Sequence, residues 1–394
     1  MPSLSVQHTS RSANHRLSYQ PALDGIRALA VSAILVYHAG FSWARGGFLG
    51  VDAFFVLSGY LITSLLLGEW RTTGHISLTA FWARRARRLL PALFLTMLGV
   101  AGYAVVFAAP QELDKLRTES FTTLAGVANW RPVFGEQGLQ YVTPLSHTWS
   151  LAIEQQWYAV WPLIIFAFLR LRRGSPRVLL VTTLVLAAAS AILMAWLHKA
   201  GSEPSRAYYS TDTRGQSLLI GSALAILLAQ HGPIRSTVRG LALQLVALAC
   251  AGAVVWAWFA ISLNDNFLYR GGFLLLALAV AVVIAAIVQP KAQLLGRLLA
   301  LPPVRGLGLI SYGVYLWHWP VYLVLTSGRT GLDTYPLFAA RVCLTLALSG
   351  MSYNLIEAPF RHGALRRWKA SWTLAPAGAM SLAAVVFLVT RGGV

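Results

Sequence analysis

The sequence predicts an all-α polytopic membrane protein with about eleven transmembrane helices, and three observations carry that prediction. Of its 394 residues, 57% are hydrophobic and only 11% are charged, against roughly 25% charged in a soluble globular chain. Apolar runs of spanning or near-spanning length recur from one end of the chain to the other. Lys and Arg gather in alternate connections, as the positive-inside rule requires.

The first 25 residues are largely polar, carry Arg11 and Arg16, and hold no apolar core of their own. No cleavable signal peptide is expected, and residues 1–20 read as a cytoplasmic tail. Apolar runs follow at 26–43, 48–67, 89–109, 148–169, 178–198, 215–230, 241–263, 271–289, 307–327, 337–356 and 371–390. The first serves as an uncleaved anchor. Residues 118–134 (TESFTTLAGVANWRPVF) are ambiguous by hydropathy, because they hold Glu119, Asn129, Arg131 and Pro132.

Charge topology decides. If 118–134 does not cross, the N-terminus and the even-numbered connections lie in the cytoplasm with 21 basic residues; ten fall outside and Arg341 lies within a span. The cytoplasmic set holds Arg11, Arg16, Arg27, Arg71, the four Arg of 84–88, and the basic groups at 170–177, 235–239, 291–305 and 361–369. A crossing at 118–134 would put every later cluster on the wrong side. The segment therefore reads as interfacial or re-entrant. The chain reads as a multi-pass protein of the plasma (cytoplasmic) membrane, N-terminus inside and C-terminus outside.

The net charge of +19 records this topology, so the bilayer is the expected partner and no nucleic acid is. Cys250 and Cys343 fall in apolar runs and read as packing residues; no disulfide or metal site is expected. The outer loops are short, so no separate soluble domain is expected, and no internal repeat of the transporter kind is visible.

Within residues 26–41, Arg27 and His38 stand eleven residues apart. Eleven steps at ~100° return to the same helix face within ~20°, with a rise of ~16 Å. One face then carries a permanent cation near a membrane edge and an imidazole well inside. Taken singly, the Arg can snorkel to headgroups and the His can find a core hydrogen bond. In register, two costly groups mark a pathway or an active site.

Further polar residues punctuate the apolar runs. Asp24 begins the first helix and reads as a cap that complements the positive helix end. Asp52, Ser58 and Gly59 lie inside the second span; Gly59 permits close helix approach, while Asp52 demands a partner or water. Residues 81–91 (FWARRARRLLP) put Arg84, Arg85, Arg87 and Arg88 just before the third span. Such a run either sets topology or, with Arg three or four apart on one face, clamps a polyanion.

Residues 146–162 (SHTWSLAIEQQWYAVWP) pack His147, Glu154, Gln155 and Gln156 at the mouth of a span. A helix facing only lipid would not carry Glu-Gln-Gln, although the aromatics read as an interfacial belt. Asp212 and Arg214 open the sixth span and read as an ion pair. His318 lies between two Trp in the ninth span, and Glu357 with Arg361 closes the tenth. The sequence holds no GxSxG, HExxH or P-loop, which argues against α/β-hydrolase, zincin and ATP-driven chemistry.

Together these segments resemble the acyltransferase-3 family of integral membrane O-acyltransferases, of the type often fused to an SGNH domain. The matching pieces are LDGIRA, the Arg27/His38 pair, GVDAFFVLSGYLIT, FWARRARRLLPA, HTWSLAIEQQWY, TDTRGQSLLIG, SYGVYLWHWP and YNLIEAPFR. They run in family order from about residue 21 to 362. The resemblance implies a ten-helix membrane domain over 21–362, with 363–394 as an extra C-terminal span whose end is extracytoplasmic.

The resemblance also implies transfer of an acyl group, usually acetyl from cytoplasmic acetyl-CoA, to a carbohydrate hydroxyl across the membrane. By carry-over His38 is the essential histidine, and Arg27 with Arg84, Arg85, Arg87 and Arg88 belongs to the acyl-CoA side. His147, Glu154, Asp212, Arg214 and His318 fall in family segments whose roles are less settled. Gln155 stands where the family often has a second Glu, which puts a two-carboxylate role there in doubt.

His38 acts either as general base on the acceptor or as an acyl carrier, with Asp52 or Glu154 as candidates to orient it. Three readings remain: an acyl-CoA-dependent O-acyltransferase on a cell-envelope glycan or glycosylated metabolite, an acyl relay to a separate SGNH-type partner, and a polar-solute transporter. The span count suits the transporter, but the missing repeat and the Arg array do not.

Overall fold

Prolines and glycines set where the helices start and stop. The first helix, α1 (Pro21–His38), has Pro in its N-terminal turn, where the missing N–H removes no bond. The chain leaves α1 through Gly40 at φ 82°, a conformation other residues rarely adopt. The helix therefore ends at His38 and not at 43. It places His38 on the last turn, half-buried.

The computed structural model describes residues 19–135, 142–171, 175–201, 203–232, 234, 236–289, 294–362 and 371–391, and every regular element among them is helical. After α1 come α2 (Gly50–Thr73), α3 (Leu78–Val106), α4 (Pro110–Leu124), α5 (Trp149–Leu171) and α6 (Pro176–Leu197). Then follow α7 (Thr211–His231), α8 (Thr237–Ala260), α9 (Phe273–Ile287), α10 (Pro302–Val324), α11 (Thr334–Ser352) and α12 (Ser371–Thr390).

Each of the eleven apolar runs overlaps one of these helices. Six helical segments, Gly47–Thr73, Leu78–Val106, Pro176–Leu197, Thr237–Ala260, Leu268–Ile287 and Thr334–Phe360, are long and apolar enough to cross a membrane by length and composition. The chain is an all-helical multi-pass membrane protein. Helices α1, α5, α7 and α10 carry several of the ionisable side chains described below.

Two segments depart from the sequence reading. Residues 118–134 are not one helix: α4 ends at Leu124, a turn intervenes, and two short helical turns follow at Ala128–Trp130 and Arg131–Phe134. At ~1.5 Å per residue the 15-residue α4 is about 22 Å long, short of a ~30 Å hydrocarbon core. The second departure is α3, which begins at Leu78, capped by the Ser77 hydroxyl. The arginine run thus lies on the helix itself, not ahead of it, and helical spacing sorts its members.

Helix α7 is the centre of the bundle; every residue from Thr213 to Ile226 is buried. It packs on α2 and α6, while α1 lies against α10 and α12 against α3 and α4. The α2–α7 approach depends on two glycines. A Cβ on Gly59 would sit 1.9 Å from the Leu218 carbonyl oxygen, and one on Gly221 would sit 2.0 Å from that of Val56. The close approach expected at Gly59 is thus reciprocal, each glycine admitting the other helix's backbone.

Residues 1–18 with Arg11 and Arg16 lie outside the described residues. So do Arg172, Arg173, Arg235, Lys291, Arg366, Arg367 and Lys369, the stretches 363–370 and 392–394 of the expected C-terminal segment, and the Arg361 side chain.

Candidate active site

Six helices meet around two adjoining cavities. The wider, about 570 Å³, opens at the N-terminal end of α1 and is bounded by Tyr19, Asp24, Arg27, Tyr60, Arg85 and Arg88, among others. The narrower, about 80 Å³, shares Arg27, Leu61, Arg85 and Arg88 with the first and continues between α2, α5 and α10. Ser58, Ser150, Glu154, Tyr158 and Tyr315 are on its wall. The three arginines stand where the two spaces meet.

Helical geometry selects these arginines. Arg85 and Arg88 are three apart on α3 and share a face. The Arg85 guanidinium lies over the rings of Phe81 and Tyr158, 5.6 and 5.7 Å from their centroids. Arg84 points elsewhere and pairs with Glu69 at 3.3 Å, while Arg87 lines neither cavity. Of the four-Arg array, therefore, only two members turn to the cavity; Arg84 and Arg87 do not.

Arg27 is held by Asp24, Nη1 to Oδ1 at 2.9 Å. The other Asp24 oxygen accepts from the Tyr19 hydroxyl at 2.6 Å, and Tyr19 accepts in turn from Arg305 Nε at 3.0 Å. Partial burial and the Asp24 carboxylate raise the Tyr19 pKa above that of a free phenol. Asp24 is not the helix cap: Gln20 holds that position, without a side-chain capping bond. Both Asp24 oxygens are spent on orienting residues of the cavity mouth.

Deeper in, Glu154 accepts from Ser58 Oγ at 2.7 Å and from the Tyr158 hydroxyl at 2.9 Å, and the two hydroxyls are 3.1 Å apart. Beyond them the Tyr315 hydroxyl donates to the His147 carbonyl oxygen at 2.6 Å and lies 2.5 Å from Ser150 Oγ. Three imidazoles stand behind Tyr315. Ring centroids of His147 and His318 are 5.2 Å apart, and those of His38 and His318 are 5.1 Å apart. His318 Nε2 and His38 Nδ1 are separated by 3.2 Å. Trp319 packs 4.8 Å from His38. Among the described residues, no His, Cys, Asp or Glu cluster is arranged to hold a metal.

Neither carboxylate expected to orient His38 touches it. Asp52 is fully buried and accepts from Arg214 Nη2 at 2.9 Å and from Ser217 Oγ at 3.0 Å. The Arg214 guanidinium sits amid four rings, nearest Phe273 at 4.1 Å. Glu154 belongs to the Ser58–Tyr158 cluster, and His38 is met by His318 instead. The expected Asp212–Arg214 pair is also absent. Residues two apart point to different faces of a helix, and Asp212 takes a two-pronged contact from Arg206 at 2.8 and 2.6 Å.

Gln156 bridges the Gly126 carbonyl, Asn129 and Thr211, which makes it a structural tie. Glu357 is buried in the π-turn after α11, where it accepts from Ser352. Sequence reasoning missed Tyr19, Ser150, Tyr158 and Tyr315. Helix spacing held a signal for two of them: Tyr158 follows Glu154 by four, and Tyr315 precedes His318 by three.

Comparison with known proteins places the chain in a family. A family model described as an acyltransferase domain matches residues 20–354. The peptidoglycan O-acetyltransferase OatA of Listeria monocytogenes serovar 1/2a is 38% identical over 362 residues, covering 89% of this chain and 57% of the relative. The putative peptidoglycan O-acetyltransferase YrhL of Bacillus subtilis is also 38% identical, over 89% of this chain and 56% of its own length. The O-acetyltransferase OatA of Staphylococcus aureus is 36% identical over 87% of this chain and 57% of its length. The chain thus spans a little over half the length of these curated relatives. No solved structure matches it. With the family model covering most of its length, the chain belongs to the acyltransferase-3 family.

Proposed function

We propose that this chain is a membrane O-acetyltransferase that moves an acetyl group from cytoplasmic acetyl-CoA to a hydroxyl of the cell-wall glycan. The observation that carries the reading is the adjoining pair of cavities. A wide opening narrows at Arg27, Arg85 and Arg88 and runs past Glu154 to Tyr315, whose ring lies 5.4 Å from both His147 and His318. Three guanidinium groups at one constriction suit the phosphates of a coenzyme, by charge-assisted hydrogen bonds. From Arg27 to His38 the rise along α1 is ~16 Å, the reach of an extended thiol-bearing arm.

In this reading the chain crosses the membrane eleven times with its N-terminus inside, so the wide cavity faces the cytoplasm. The positive-inside count supports that orientation. The glycan as acceptor rests on the printed names of the relatives. His38 takes the proton of the acceptor hydroxyl. The acceptor oxygen attacks the thioester carbonyl carbon, the C–S bond breaks, and the departing thiolate recovers the proton from His38.

The test uses the purified protein in liposomes, with radiolabelled acetyl-CoA and soluble glycan strands. Label is expected as glycan ester with the wild type and not with His38→Ala of equal thermal stability. Label that stays on the protein until an SGNH-type partner is added would make the chain a relay. Absence of coenzyme binding, with uptake of a polar solute instead, would overturn the reading.

A further inference from the structure

The reaction proposed above needs a bare nitrogen on His38, and the structure indicates which one is bare. His318 is fully buried on α10, and its Nδ1 lies 2.6 Å from the backbone carbonyl oxygen of Tyr315, one turn earlier. A carbonyl only accepts, so Nδ1 carries the hydrogen. The neighbours of the His318 ring are His38, His147, Tyr315, Trp319 and Tyr322, none of them anionic. An imidazolium buried among neutral rings would lack compensation, so His318 is neutral. Its Nε2 is then a lone pair, and it faces His38 Nδ1 at 3.2 Å. Two lone pairs do not bond, so His38 Nδ1 supplies the hydrogen at this contact; the Ile34 carbonyl oxygen, one turn earlier on α1, is a second acceptor beside the His38 ring.

We infer that His318 is a positioning residue that fixes His38 as the Nδ1–H tautomer and leaves Nε2 as its one basic nitrogen. The chain of donors runs His38 Nδ1–H to His318 Nε2, then His318 Nδ1–H to the Tyr315 carbonyl. It places an imidazole where other catalytic histidines have a carboxylate. Such a partner fixes tautomer and ring orientation without adding charge to the site. The inference deepens the proposed reaction and rests on it for its catalytic meaning, but the tautomer itself is a property of the protein alone.

Histidine-selective nitrogen-15 labelling of the full chain in detergent micelles reads the tautomer directly, with the His38 signals assigned by their loss in His38→Ala. The wild type is expected to show a protonated Nδ1 and a bare Nε2 at His38. His318→Phe keeps the ring volume and removes the acceptor, so His38 should shift towards Nε2–H. Turnover should then fall by on the order of ten-thousandfold, as a wrong-tautomer variant of another enzyme does, with the KM for acetyl-CoA unchanged. His318→Gln offers an amide oxygen to His38 Nδ1–H and should restore turnover to within about tenfold of wild type.

A wild-type His38 protonated on Nε2 overturns the inference whatever the variants do. So does a folded His318→Gln as inactive as His318→Phe, or a His318→Phe with wild-type turnover. A wild type that shows the tautomer but transfers no acetyl group would remove the proposed reaction and leave the tautomer assignment standing.

Discussion

Arg214 Nη2 lies 2.9 Å from Asp52 Oδ2, and neither side chain reaches the surface. The pair joins α7 to α2 and is completed by Ser217, which donates to the other carboxylate oxygen of Asp52. Removing one partner of a buried pair leaves an uncompensated charge, at a cost of about 3–5 kcal/mol. Asp52→Ala is expected to lower the unfolding temperature sharply, whereas Asp52→Leu combined with Arg214→Met should recover much of the loss. Thermal unfolding in detergent measures both. An Asp52→Ala protein of wild-type stability but without transfer activity would return Asp52 to the reacting groups.

The α2–α7 contact makes a second, sharper claim about stability. Gly59 and Gly221 each have a backbone carbonyl within 2.0 Å of where a Cβ would stand, while Gly68, on the same helix as Gly59, has nothing within 4 Å. Gly68→Ala should therefore be neutral or stabilising by up to about 1 kcal/mol, the helix-propensity difference. Gly59→Ala and Gly221→Ala must push two backbones apart and should destabilise the protein. Equal unfolding temperatures for all three variants would contradict the packing described for α2 and α7.

Among the arginines, the structure divides a run that reads as uniform. Arg85→Ala and Arg88→Ala should each weaken acetyl-CoA binding, measured by calorimetry in detergent, with an effect that shrinks as salt screens the remaining charges. Arg84→Ala should change affinity little, and its exposed pair with Glu69 should add under about 1 kcal/mol to stability. Loss of binding in Arg84→Ala equal to that in Arg85→Ala would mean that the whole run, not one face of α3, meets the coenzyme.

What could be read from the sequence follows the range of the physics involved. Helix period alone puts Arg27 and His38 on one face, and apolar length alone finds the helices. Spacing also shows that Arg85 and Arg88 share a face, but not that this face looks inward, because that depends on where α5 and α10 pack. The partner of Asp52 is 162 residues away, and no local rule finds it. The nearby Asp212 and Arg214 suggest a pair because they are close in sequence, yet residues two apart on a helix point to different sides. His318 as the partner of His38 is likewise a contact between α1 and α10 across 280 residues. By contrast Tyr158, four residues after Glu154, was within reach of the same-face rule.

That last contact also tests the interior of the narrow cavity. The Tyr158 hydroxyl donates to Glu154 at 2.9 Å while Ser58 donates to the other carboxylate oxygen at 2.7 Å. A hydrogen bond to a charged acceptor contributes about 1.5–3 kcal/mol, and residues in contact show non-additive effects of about 0.5–3 kcal/mol. Tyr158→Phe and Glu154→Gln should therefore each destabilise the protein, and the double variant should lose less than the sum of the two. Denaturant unfolding of the four proteins in one detergent closes the cycle. Additivity within about 0.5 kcal/mol would mean that the two groups do not bond. Glu154 would then stand beside three guanidinium groups as their counter-charge alone, and Glu154→Gln should tighten coenzyme binding while Tyr158→Phe leaves it unchanged.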